Sequence, residues 1–181
     1  MPRKPTRVAK KASGKERVGS ATGAQATQLY TLEVVLISGP ITEKFYRKNP
    51  VVSRTIQMRG DQTLEDLHFA IFDSFEREEE HLYEFQFGKG PRDRKALVYA
   101  MPHVFDQFDE RMAGIVDETT LDSLNLEAGR SFAYWFDFGD DWWHEIKVAS
   151  IDEKVPRGKF PKVTNRVGKS PPQYADYDED E

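Results

Sequence analysis

The stretch Asp137-Phe138-Gly139-Asp140-Asp141-Trp142-Trp143-His144-Glu145 gathers carboxylates, an imidazole and two indoles around one glycine. Its residue types allow three roles. Asp137, Asp140, Asp141, Trp142, Trp143, His144 and Glu145 can together form an acidic, aromatic recognition tip for a partner. His68, His81, His144, Asp140 and Asp141 can form a zinc-compatible ligand set, making a divalent metal the one cofactor to expect and metal-dependent hydrolysis the matching chemistry. The third role is structural. Short carboxylates at a turn hydrogen-bond neighbouring amides, and a histidine on an apolar stripe, as His68 is, belongs more often to the edge of a core. The order of these readings is binding, structure, enzyme, and no residue is assigned a catalytic role.

Other chemistry-bearing patterns fail. His144-Glu145 opens a zinc-protease motif, but Val148 stands where the second histidine belongs. Gly168-Lys169-Ser170 imitates the end of a phosphate loop, yet Val163 replaces its first glycine and Pro171-Pro172 would stop the helix that must follow. There is no nucleophile elbow and no dinucleotide fingerprint.

A β-hairpin must carry the tip. Phe132, Tyr134, Phe136 and Phe138 share one strand face, and Trp142, His144, Ile146 and Val148 share one face of the next strand. Opposed residues of an antiparallel pair lie on the same side, so the two apolar sets meet only across an odd-numbered loop. The expected loop is Gly139-Asp140-Asp141, with Phe138 opposite Trp142 and Phe136 opposite His144. Asp137 would then lie on the other face with Trp135, Trp143 and Glu145.

Upstream, Tyr30–Ile37 alternates as a strand, Ser38–Pro50 reads as a loop with two proline breakers, and Val51–Met58 is a second strand. Thr63 and Asp66 have capping-box spacing ahead of the stripe Leu64, Leu67, His68, Ile71, Phe72 and Phe75, predicting a helix to about Arg77. His81–Phe87 is a third strand and Ala96–Ala100 a short edge strand; a helical turn is expected in Val104–Gly114 and another in Asp117–Leu124. This order of elements predicts an α+β fold: a β-grasp-like mixed sheet of about five to six strands packed on one main helix, with Trp142–Val148 added at its end and disordered tails.

The domain expectation is a body over 29–155, a head over 1–28 and an extended segment over 156–181. Among 181 residues there is no cysteine, excluding disulfides and thiolate chemistry and favouring a cytoplasmic setting. No apolar run is long enough to span a membrane. Residues 1–28 hold seven Lys or Arg against one Glu and no large apolar side chain, as expected of a disordered arm that makes weak nucleic-acid contact or folds back on the acidic body. The last eight residues hold five acids and no base.

Three segments carry a resemblance: Thr63-Leu64-Glu65-Asp66-Leu67-His68, His81-Leu82-Tyr83-Glu84-Phe85 and, most specific, Phe136 to Ile146. They resemble the plasmid pRiA-type Orf-three-like domain family, also met as an insertion-sequence passenger and labelled TnpR-like. Phe160-Pro161 and Pro171-Pro172-Gln173-Tyr174 look like its trailing region. The resemblance implies an α+β domain and association with mobile elements, and no established activity. Many members carry cysteine in that trailing region, so no cysteine-based metal role carries over to this chain. The resolvase-like label does not transfer either, because no recombinase constellation is present.

Overall fold

A computed structural model describes residues 27–174. Almost all of the basic head and the end of the acidic tail lie outside the described residues. Thr27 and Gln28, expected to belong to the head, are hydrogen-bonded into the body: the Thr27 hydroxyl donates to Asp122 and the Gln28 carbonyl accepts from the Gly60 amide.

Eight strands form one sheet: β1 Leu29–Ser38, β2 Ser53–Arg59, β3 Tyr83–Phe87, β4 Leu97–Ala100, β5 Met112–Ile115, β6 Ser131–Phe136, β7 Trp142–Asp152 and β8 Lys162–Val167. Their spatial order is β5-β4-β3-β6-β7-β1-β2-β8, and every neighbouring pair is antiparallel except β4 with β5. Two α-helices accompany them, α1 (Glu43–Lys48) and α2 (Leu64–Ser74). The fold is therefore mixed α+β, with eight strands rather than five or six.

The β-grasp arrangement is not what the sheet shows. Trp142–Val148, expected as an addition at the end, is the middle of the sheet: β7 pairs with β6 on one side and β1 on the other. β6 consequently runs in the same direction as β1, but one strand removed. The physical reason lies in β7 itself. Trp142, His144, Ile146 and Val148 are buried on one face and Trp143 on the other. A strand covered on both sides belongs at the centre of a sheet rather than at its edge.

Helix α2 lies across the inner face. Thr63 accepts from the Asp66 amide and Asp66 from the Thr63 amide, the expected capping box, and Leu64, Leu67, His68 and Ile71 are buried. The helix ends earlier than its stripe suggests because Glu76 turns left-handed (φ 57°). Three elements escaped sequence reading. α1 is one short turn capped by Thr42, β5 carries little apolar signal, and β8 is mostly exposed at the edge beside β2. Ala96–Ala100 yields β4, which is not at the edge because β5 pairs outside it in parallel. In Asp117–Leu124 the helical turn is a short 3₁₀ segment, Asp122–Leu124.

The hairpin keeps the expected phase with a shifted register. Its loop is five residues, 137–141, so Phe136 faces Trp142 and Tyr134 faces His144. The aromatic faces still meet, since five and three are both odd. Asp137 (φ 53°) and Asp141 (φ 59°) leave extended geometry at the two ends of the loop. Local hydrogen bonding lets a short carboxylate residue hold that conformation. Asp137 accepts from the amides of Gly139 and Asp140, and its own carbonyl accepts from the Asp141 amide.

Candidate functional site

The hairpin tip divides its groups between the two faces of the sheet. On the inner face Trp142 is fully buried, with the ring against Gly39 and the Arg77 guanidinium 3.6 Å from the ring centroid. His144 lies beyond it, edge-on to Phe75 at 4.9 Å and beside Tyr134 at 5.3 Å. Burial pushes the His144 imidazole well below its ordinary range, the Arg77 charge pushes the same way, and only the backbone of Tyr134 acts against them. No protein group makes a well-formed hydrogen bond to either ring nitrogen.

Asp137 is not on the outer face with Trp135, as expected. It sits in the loop, 6% exposed, with an oxygen 3.5 Å from His81 Nε2. The same His81 nitrogen is 2.9 Å from the Tyr174 hydroxyl, which donates to Glu79. Gln173 fastens this strap: its oxygen accepts from the amides of Glu78 and Glu79, and its nitrogen donates to the Glu79 carbonyl.

On the outer face, Phe138 stacks on Trp135 at 4.1 Å and Trp135 on Trp143 at 5.0 Å. Arg92 lies over Trp143 at 5.2 Å. Asp141 knits the group together, accepting from Trp143 Nε1 at 2.7 Å and from Arg92 at 2.8 Å. The Arg92 hydrogen bond, with help from the Trp143 indole, holds its carboxyl below the usual carboxylate range. Glu145, on the Trp143 face of β7, is half-exposed beside this stack, and Asp140 is half-exposed in the loop, its charge reaching Tyr174.

His68 belongs to a separate relay. Its Nδ1 is 2.7 Å from the Tyr134 hydroxyl, its Nε2 is 3.0 Å from Glu80, and its ring stacks on Tyr83 at 3.6 Å. An ionised carboxylate can only accept, so Nε2 carries the proton and Nδ1 accepts from Tyr134. Burial drives the His68 imidazole down to about 3. Glu80, half-exposed, has its own carboxyl raised by burial.

The five candidate metal ligands are thus dispersed. His68 faces Tyr134 and Glu80, His81 faces Tyr174 and Asp137, His144 is enclosed by rings, Asp140 is half-exposed in the loop, and Asp141 is engaged by Arg92 and Trp143. Among the described residues no three His, Asp or Glu side chains are grouped so as to hold a metal ion. The zinc-compatible set read from the sequence is not assembled: His68, His81 and Asp141 are engaged by other side chains, and His144 is enclosed by rings away from them.

Several site residues were invisible in the sequence. Tyr134 reads as one more core aromatic, and Arg77 lies in the charged run Glu76-Arg77-Glu78-Glu79-Glu80, which reads as a solvated face. Arg92 sits in a Gly-Pro turn. Arg54, buried in β2 on the inward side beside Ile56, is a charged residue within an apolar alternation, which is a signal the sequence does carry.

The family model described as plasmid pRiA4b ORF-3-like protein matches residues 44–176, a span that includes Arg54, Arg77, His68 and the whole hairpin. The chain belongs to this family. The crystal structure of a protein of unknown function, MM3350 from Methanosarcina mazei Go1, shares the fold with a TM-score of 0.60. The two are 21% identical, over 81% of this chain and 73% of that one. No curated protein matches the chain. Among the described residues no helix is long and apolar enough to cross a membrane.

Proposed function

We propose that this family member is a non-enzymatic binding module whose recognition element is the outer side of the hairpin tip. One observation carries the reading: Trp135 and Phe138, stacked and half-exposed, stand beside Asp141 and Glu145, next to a loop that carries Asp140 and is held by its own hydrogen bonds. Rigid aromatic groups give large contact area with little loss of conformational freedom. Adjacent carboxylates select a cationic partner, so the fitting ligand is an arginine- or lysine-bearing protein segment that lays its cation on an indole face. The imidazoles add support, since His68 and His144 are buried, neutral at ordinary pH and turned away from this surface.

The test is a tryptophan-fluorescence titration of the protein with an arginine-containing peptide and its acidic counterpart. Binding of the basic peptide alone, weakened about tenfold or more by Phe138→Ala or Asp140→Asn without loss of folding, is expected; each tenfold step corresponds to about 1.4 kcal/mol. Equal response to both peptides, or indifference to both substitutions, sinks the reading.

A second contact belongs to the basic head, supported by its charge: seven Lys or Arg against one Glu in residues 1–28. Weak nucleic-acid association that falls steeply with salt is expected of the full chain. A chain starting at Leu29 that binds equally well would refute it. The plasmid in the family's description supports an association with mobile elements.

A further inference from the structure

Two arginines are buried among the described residues, and their surroundings are opposite. Arg54, 1% exposed, donates to the carbonyls of Ser53, Ser74, Val167 and Gly168 and to the Ser170 hydroxyl. It staples the end of α2 to the chain leaving β8. Arg77, 7% exposed, has no acceptor among the described residues at Nε, Nη1 or Nη2. Its one close partner is the face of Trp142, 3.6 Å away. The indole Nε1 of Trp142 is buried beside it without a partner, and the His144 ring nitrogens are buried there too, with only the Tyr134 backbone acting on them.

These unmatched groups are almost all of one kind. A guanidinium offers five N–H donors, the indole one, and a neutral imidazole one more. The set is cationic, and leaving a buried charge without a counterion is strongly destabilising. The Trp142 ring offsets part of that cost. Asp137, a buried carboxylate whose charge Arg77 feels, is held by the Gly139 and Asp140 amides and paired with His81. Burial lowers the Arg77 guanidinium to about 10, in keeping with a cation short of negative charge. A planar donor fork in aromatic surroundings matches two oxygens of one small anion.

We propose that Arg77, Trp142 and His144 form a buried site for a small carboxylate or inorganic oxyanion, bound within the fold between the end of α2 and the start of β7. The site lies on the inner face and uses none of the outer stack, so its failure would leave the recognition reading intact.

The experiment follows thermal unfolding of the full chain at constant ionic strength while chloride is replaced by acetate or by phosphate. A saturable rise in melting temperature is expected with at least one oxyanion, stronger than with chloride, which lacks two separate oxygens to form parallel bonds with the fork. At about a hundredfold excess over Kd the folding constant should rise about a hundredfold. Arg77→Met should abolish the saturable part, while Arg92→Met, which removes a surface guanidinium, should keep it. If Arg77→Met fails to fold, the Arg77 Nε–Hε resonance of the unaltered protein must shift saturably with the same anion. A response that tracks ionic strength alone, one that survives Arg77→Met, or a stationary Arg77 resonance overturns the site.

Discussion

Acidification should destabilise this protein through imidazoles that the core keeps unprotonated. His68 is 1% exposed, and burial lowers its pKa from 6.5 to about 3. In the unfolded chain the same group takes up a proton below about 6.5. Between these values the unfolded state binds a proton that the folded state refuses. Stability is therefore fully present above the unfolded pKa and is lost as pH falls toward the folded one. The limiting slope is about 1.4 kcal/mol per pH unit, so a fall from pH 6.5 to 5 costs about 2 kcal/mol from His68. His144, displaced in the same direction, adds a loss of the same sign. Glu80 and Glu84, whose carboxyls are raised by burial, act oppositely at lower pH because the folded state there binds their protons more readily. A domain stable by about 5–15 kcal/mol would show such a loss clearly in urea unfolding at a series of pH values. His68→Gln does not titrate and can still hydrogen-bond, so its stability should fall by about 2 kcal/mol less than that of the unaltered protein over the same interval. Equal stability at neutral pH and near pH 5, or an undiminished slope in His68→Gln, would refute the assignment of His68 as a neutral core group.

Other substitutions probe how the site is held. A methyl group at Gly39 would lie 2.1 Å from the Trp142 ring, which is fixed from the other side by Arg77, so Gly39→Ala should lower urea stability by about 1–3 kcal/mol or more. Thr63→Ala removes half of the capping box of α2 and should cost about 1 kcal/mol, with an unchanged denaturant slope. Asp137→Ala removes the acceptor for two loop amides and leaves a left-handed residue without side-chain hydrogen bonding. The Gly139 and Asp140 amides should exchange faster, and Asp137→Gly should recover only the backbone part of the loss, about 1–2 kcal/mol.

Much of this architecture is local and can be read in the chain. The capping box and apolar stripe of α2 depend on residues three and four apart, and the structure has both. The aromatic phasing of β6 against β7 follows from alternation and an odd loop. Its register does not, because a choice between three and five loop residues rests on whether Asp137 adopts a left-handed backbone and collects two amides. The same limit hid β8, whose exposed residues carry no periodic apolar signal and which exists as a strand by pairing with β2.

By itself, the sequence determined the helix, the hairpin and the phase of its aromatic faces, because each depends on periodicity and capping among near neighbours. Only the tertiary structure decided that β7 occupies the centre of the sheet, that His68 and His81 are engaged by separate partners while His144 is enclosed by rings, and that Arg77 is buried over Trp142. Those outcomes depend on which groups from distant segments reach one another's donors and acceptors. A single chain read in order holds the residue types for a metal site and for a buried cation alike; the packing of α2 on β6 and β7 disperses the first and creates the second.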